Sequence, residues 1–143
     1  PRQDPSSPYS GVISIFAERV YAHQDITVNG GNQTRDFVYV ADVTLAITEA
    51  INLAVSEKIC EFVNVLTGRS VSIDWLADTL IETTKSRSKK IYKEMSAGDP
   101  IESNGGVAKL SNLLGIESSD MVPLEEGLVL TLNYLKDGVI SFE

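Results

Sequence analysis

Apolar side chains recur along this chain with two periods, and the change of period marks the elements. Val12, Ile13, Phe16 and Val20 fall at helical spacing with Glu18 and Arg19 on the other side, predicting an amphipathic helix over roughly 10–23. Ile26-Thr27-Val28 is β-branched throughout and reads as a short strand. Asn29-Gly30-Gly31-Asn32 supplies the residues of a tight reversal, and a second extended run follows over 35–40, which together read as a glycine hairpin. Asp42 is placed to cap the next helix, on which Val43, Ala46, Ile47, Ala50, Ile51 and Ala54 trace one apolar face. Residues 62–66 are short, β-rich and almost wholly apolar, as a strand covered on both faces would be. Gly68 ends that run. Ser72 then caps a helix carrying Ile73, Leu76, Ala77, Leu80 and Ile81. A strand over 91–95 is broken by Gly98-Asp99-Pro100, and helices around 107–114 and 124–135 close the chain. Three prolines keep 1–8 in loop. The order is an α/β mixture with no internal repeat.

Composition narrows the classes. The 143 residues are 43% hydrophobic and 22% charged, enough for one globular domain with a real core. No apolar run approaches the roughly 20 residues that cross a bilayer, and no charged-then-apolar leader opens the sequence. A net charge of −8, from 20 acidic against 12 basic residues, speaks against nucleic acid. It leaves room for a small anion held by one or two placed arginines. Arg87-Ser88-Lys89-Lys90 reads as a solvated turn. Cys60 is the one cysteine, so no internal disulfide forms and a reducing cytoplasm is the natural setting; it is expected to be a small buried residue. His23 is the sole histidine, with no second His or Cys to share a metal. A chain that opens at Pro1 without Met reads as a fragment or a processed product.

Three stretches stand together: Pro1-Arg2-Gln3-Asp4-Pro5 with 9–16; 26–43, including Gln33-Thr34-Arg35-Asp36-Phe37-Val38-Tyr39-Val40; and Ala97-Gly98-Asp99-Pro100 followed by Leu113-Leu114-Gly115 and 123–128. In this order and spacing they resemble the extended short-chain dehydrogenase/reductase family, in its UDP-glucose 4-epimerase-like branch of NAD-dependent epimerases and dehydratases. The resemblance covers nearly the whole chain. It implies the carboxy-terminal substrate-binding lobe of such an enzyme plus an edge helix and strand of the dinucleotide-binding sheet, without the Rossmann core. The implied division is 1–35 and 68–143 for the lobe, with 36–67 returning to the sheet edge.

An Arg just beyond a glycine turn is held by backbone on both sides, and its planar fork suits a diphosphate better than Lys would. The residues alone leave a surface pair of Arg35 with Asp36 or Asp42 equally open. In the family the matching Arg binds nucleotide phosphates. The resemblance likewise places the base against Thr27, Val28 and Asn29, and against Gly11 and Val12 at the first helix's start, with Phe16 one turn on and Ile73 nearby. For Val12, Phe16 and Ile73, core packing is an equal or strong rival. Asp99 matches an acid that accepts from ribose hydroxyls. Ser96 stands where a second phosphate-binding Arg is usual, a loss of about 1.5–3 kcal/mol.

The family's Gly-rich dinucleotide loop and Tyr-x-x-x-Lys pair are absent from the sequence. The resemblance therefore implies a nucleotide-sugar-binding portion, UDP-sugar foremost, of an NAD-dependent epimerase. NAD would be held mainly by residues outside this chain, and the chain alone would be catalytically incomplete. Exposed apolar surface would drive homodimers or other self-association. Alternatives are a dehydratase, reductase or decarboxylase of the same family, or a non-catalytic nucleotide-sugar-binding or interaction protein.

Overall fold

A computed structural model describes residues 1, 3, 4, 7, 10–95 and 97–137. The expected loop over 1–8 lies partly outside these residues, and Ser96 wholly so. Helix α1 spans Val12–Tyr21 and buries Ser14, Phe16, Ala17 and Val20, the face the periodicity marks. Strand β1 (Ile26–Asn29) follows, then β2 (Thr34–Asp36), α2 (Val40–Glu57), β3 (Ser70–Ser72) and α3 (Ile73–Thr84). Strands β4 (Lys90–Lys93) and β5 (Glu102–Ser103), helix α4 (Ala108–Leu114), a 3₁₀ turn at Ser118–Asp120 and helix α5 (Leu124–Asp137) complete the order.

Two small sheets form. β1 pairs in parallel with β4, Ile26 opposite Lys90. β2 lies between β3, antiparallel, and β5, parallel. The expected glycine hairpin is thus a turn whose flanking strands never pair. Gly30 and Gly31 sit at φ +75° and +101°, open only to residues without a Cβ penalty. The buried Gln33 closes the turn from inside, its Oε1 accepting from the Gly31 amide and its Nε2 donating to the Asn29 carbonyl. The turn's outward carbonyls are used elsewhere: Gly31 O accepts from Asp74 N at 3.0 Å and Gln33 O from Ile73 N at 3.1 Å. Ser72 Oγ takes Trp75 N at 3.0 Å, so the first amides of α3 are satisfied by the turn and the expected cap together.

α1, β1, α3 and α5 enclose the main core, in which Val20, Ile26, Val28, Leu76 and Leu80 are fully buried. A second cluster joins Ala46, Leu110, Ile116 and Met121, with Val38, Val63 and Val65 against it.

Three expectations need correction. Asp42 does not cap α2; the chain turns helical after Tyr39, and Asp42, already in the first turn, accepts from Val122 N at 3.1 Å. Residues 62–66 form no strand, since no neighbouring strand lies beside them among the described residues. Val63 and Val65 pack inward, whereas Phe62 is 93% exposed. Cys60 is exposed rather than buried, for the same lack of cover. The apolar face of α2 is likewise open, with Ile47, Ile51 and Val55 exposed and only Ala46 buried.

Lys90 bridges Asp74 and Asp78 at 2.9 and 2.7 Å, and the Tyr92 hydroxyl donates to Asp74. Hydrogen bonds from Tyr92 and Lys90 hold the Asp74 carboxyl below its ordinary value. Partial burial would pull Lys90 down, but its bonds to Asp78 and Asp74 prevail and raise it.

Two outcomes follow. An added Cβ at Gly31 would meet Val28 Cγ1 at 3.2 Å in a left-handed backbone, so Gly31→Ala should destabilise by about 1–3 kcal/mol in urea melts. A depressed carboxyl stabilises above its unfolded value and loses that contribution as pH falls through the lower folded one. The stability gap between wild type and Asp74→Asn should therefore be full at neutral pH and shrink below about pH 4; a gap unchanged with pH would contradict the role of the Asp74 charge.

Candidate functional site

A cleft of about 650 Å³ opens between the start of α1, strand β1, the Gly30–Gly31 turn and the loop carrying Asp99. It brings together Gly11, Val12, Phe16, Thr27, Asn29, Arg35, Ile73 and Asp99, residues far apart in sequence. Val28 is not among them. Alternation along β1 turns its side chain into the core, where it is 0% exposed, leaving only its backbone near the cleft. Among the described residues β1 has β4 on one edge alone, and its other edge has no strand partner.

Each wall residue has a local reason for its place. Gly11 precedes α1 in extended conformation and makes no side-chain cap, so the first amides of the helix are not used by one. Val12 and Phe16, one turn apart, line the cleft with one side and pack on the core with the other, as does Ile73 at the start of α3. Core packing and cleft lining are therefore compatible at all three positions.

Arg35 stands on the middle strand of the three-stranded sheet, opposite Val71 on one side and Ser103 on the other. Its Nη1 donates to Thr34 O at 2.8 Å and to Pro100 O at 2.9 Å. The guanidinium is thereby anchored to the loop beside Asp99, while Nη2 and Nε keep donors for a ligand. The surface-pair reading fails on both carboxylates. Asp36 borders the cleft too, but its carboxylate is taken up by hydrogen bonds from Thr67 and Gly68. Asp42 is occupied by Val122 N. Among the described residues the ion pairs are those of Lys90 and of Lys109 with Glu61.

The cleft also includes Ser10, Ile15, Arg19, Gln33, Asp36 and Phe37, which the sequence did not single out. For Arg19 a signal existed: Val12, Phe16 and Arg19 follow helical spacing and share a face. The amphipathic pattern, which sets Arg19 with Glu18 opposite the apolar positions, hides this. Arg19 Nη1 donates to Asp25 O at 3.3 Å. A second cavity of about 330 Å³ lies across α1, bounded by Ile13, Phe37, Tyr39, Leu124 and Leu128 among others. Among the described residues no charged side chain lines it.

The sequence profile of the NAD dependent epimerase/dehydratase family matches residues 1–65. The solved structure of a UDP-glucose 4-epimerase from Thermotoga maritima with UDP-glucose superposes on 96% of the chain with a TM-score of 0.84 and 35% identity. The chain belongs to the NAD dependent epimerase/dehydratase family. A presumptive UDP-glucose 4-epimerase of Methanocaldococcus jannaschii is 34% identical over 137 residues, 95% of this chain. UDP-glucuronic acid decarboxylase 1 of Xenopus tropicalis is 31% identical over 126 residues, 87% of this chain. The chain spans 42% of the first of these relatives and of the solved epimerase, and 28% of the decarboxylase. Members of the family are thus isomerase- and lyase-type enzymes that use NAD. No helix among the described residues is long and apolar enough to cross a membrane.

Proposed function

We propose that the cleft binds the nucleoside diphosphate of a UDP-sugar, and that the chain is the substrate-binding portion of an NAD-dependent sugar-nucleotide epimerase. The observation that carries this reading is Arg35, a cation anchored by two carbonyls, aimed into a cleft and with no carboxylate partner among the described residues. A guanidinium held there with donors to spare suits a diphosphate. Around it, Gly11 offers helix amides, Phe16, Val12 and Ile73 an apolar wall for a base, Thr27 and Asn29 the open edge of β1, and Asp99 an acceptor for ribose hydroxyls. The names of the similar epimerase and decarboxylase share the UDP group and differ in sugar and reaction. A lobe that grips the shared group therefore fits either chemistry, and the decarboxylase reading remains the second one on that ground.

The residues present do not fit a dinucleotide cofactor. The Gly30–Gly31 turn directs carbonyls, not amides, outward, and these already occupy the start of α3. NAD, which would supply hydride transfer, is accordingly assigned to family sequence outside this chain. The same assignment accounts for the open face of α2 and for Phe62: segment 36–67 would return to the edge of that absent sheet, between the two lobe parts 1–35 and 68–143. Alone, the exposed apolar side chains favour homodimers or larger association.

Calorimetric titration with UDP should show Arg35→Ala binding about 10- to 100-fold more weakly than wild type, while uridine, lacking the diphosphate, distinguishes the two little. Equal UDP binding by both proteins would remove Arg35 from the phosphate role. Light scattering after size exclusion should give a mass above that of one chain; a clean dilute monomer would refute the association.

A further inference from the structure

Arg35 is held in two ways that differ in kind. Its own Nη1 bonds Pro100 O directly. The carboxylate of the next residue, Asp36, is wrapped by the turn at Thr67–Gly68. Asp36 Oδ1 accepts from Thr67 N at 3.0 Å and Thr67 Oγ1 at 2.6 Å, and Oδ2 accepts from Gly68 N at 2.7 Å. Thr67 is itself buried, and its hydroxyl oxygen accepts from Arg69 N at 3.1 Å. Gly68 takes φ +72°, which lets two successive amides point at one carboxylate. Three hydrogen bonds to an ionised acceptor are stronger than neutral ones and fix the carboxylate in direction.

Strand β2 is only three residues long, and this turn grips it at Asp36, its last residue. Ladder bonds alone leave so short a strand free to twist, and a small twist there swings Arg35 by more at its tip than at its backbone. Taking Arg35 as the diphosphate ligand proposed above, we infer that Asp36 and Thr67 are positioning residues that aim its guanidinium into the cleft through their hydrogen bonds to each other. A guanidinium held in direction before binding loses less freedom on meeting a diphosphate.

The test is an NMR-detected titration of the 143-residue protein with UDP and, separately, with uridine. Thr67→Val, which keeps shape but removes the hydroxyl, should weaken UDP about fivefold and leave uridine within about twofold. Asp36→Asn should weaken UDP about tenfold, and Thr67→Ser, which restores the hydroxyl, should bind within about twofold of wild type. In an Arg35→Ala background, Thr67→Val should change UDP affinity by less than about twofold, because a residue acting through Arg35 has nothing left to aim. Equal losses from Thr67→Val with and without Arg35, or parallel losses for uridine and UDP, would overturn the positioning role and leave a general structural one. No loss of UDP affinity from Thr67→Val in the protein that retains Arg35 would overturn it too. Should Arg35→Ala itself leave UDP binding unchanged, the diphosphate reading fails instead, which separates the two claims.

Discussion

The amino end of α3 must find partners for its free amides, and the carbonyls of Gly31 and Gln33 provide them. That single junction ties the two sheets to one helix. β1 enters the turn from the sheet it shares with β4, and β2 leaves it into the sheet it shares with β3 and β5. Because the turn is closed internally by Gln33 and admits only glycine at its two left-handed positions, the direction in which β2 departs is fixed. The cleft is the space left where the strands diverge. Arg35 and Asp99 reach it from one side, α1 from the other.

Packing divides along the same line. The core under α1, β1, α3 and α5 is closed, and Tyr21 at the end of α1 donates to Leu132 O on α5 at 2.7 Å. The smaller cluster under α2 is open on its outer side, since Ala46 is the one buried residue of that eighteen-residue helix. An apolar stripe without cover and a backbone run without a sheet lie next to each other in sequence and in space. The Asp36–Thr67 bonds belong to the seam between these regions, joining the strand of Arg35 to the end of the uncovered segment.

Helices were legible because burial follows their period: the inward residues of α1 and α3 are those at helical spacing, and Ser72 caps as its type suggests. Strand pairing was not legible. Asn-Gly-Gly-Asn carries the composition of a hairpin, but which strands pair depends on what donates to the turn's carbonyls, and the donating amides of α3 lie far along the sequence at Ile73 and Asp74. β3 and β5 have three and two residues, too few for any period to register. Of the site, Arg35 and Asp99 were found through the family resemblance rather than through spacing. The reading erred where neighbours decide burial. Cys60 and Phe62 have the composition of interior residues and lie at the surface.

The parallel pairing of β1 with β4 has a kinetic side. Parallel neighbours need a long connection, and here α2, β3 and α3 all intervene between Ile26 and Lys90. The entropy of closing so large a loop must be met before any contact across it contributes. During synthesis β1 therefore emerges long before its partner exists, with Ile26 and Val28 waiting unburied. The main core cannot close until Lys93 has left the ribosome, and α5 can seal it only after that. Maturation of this chain is set by the arrival of its last third.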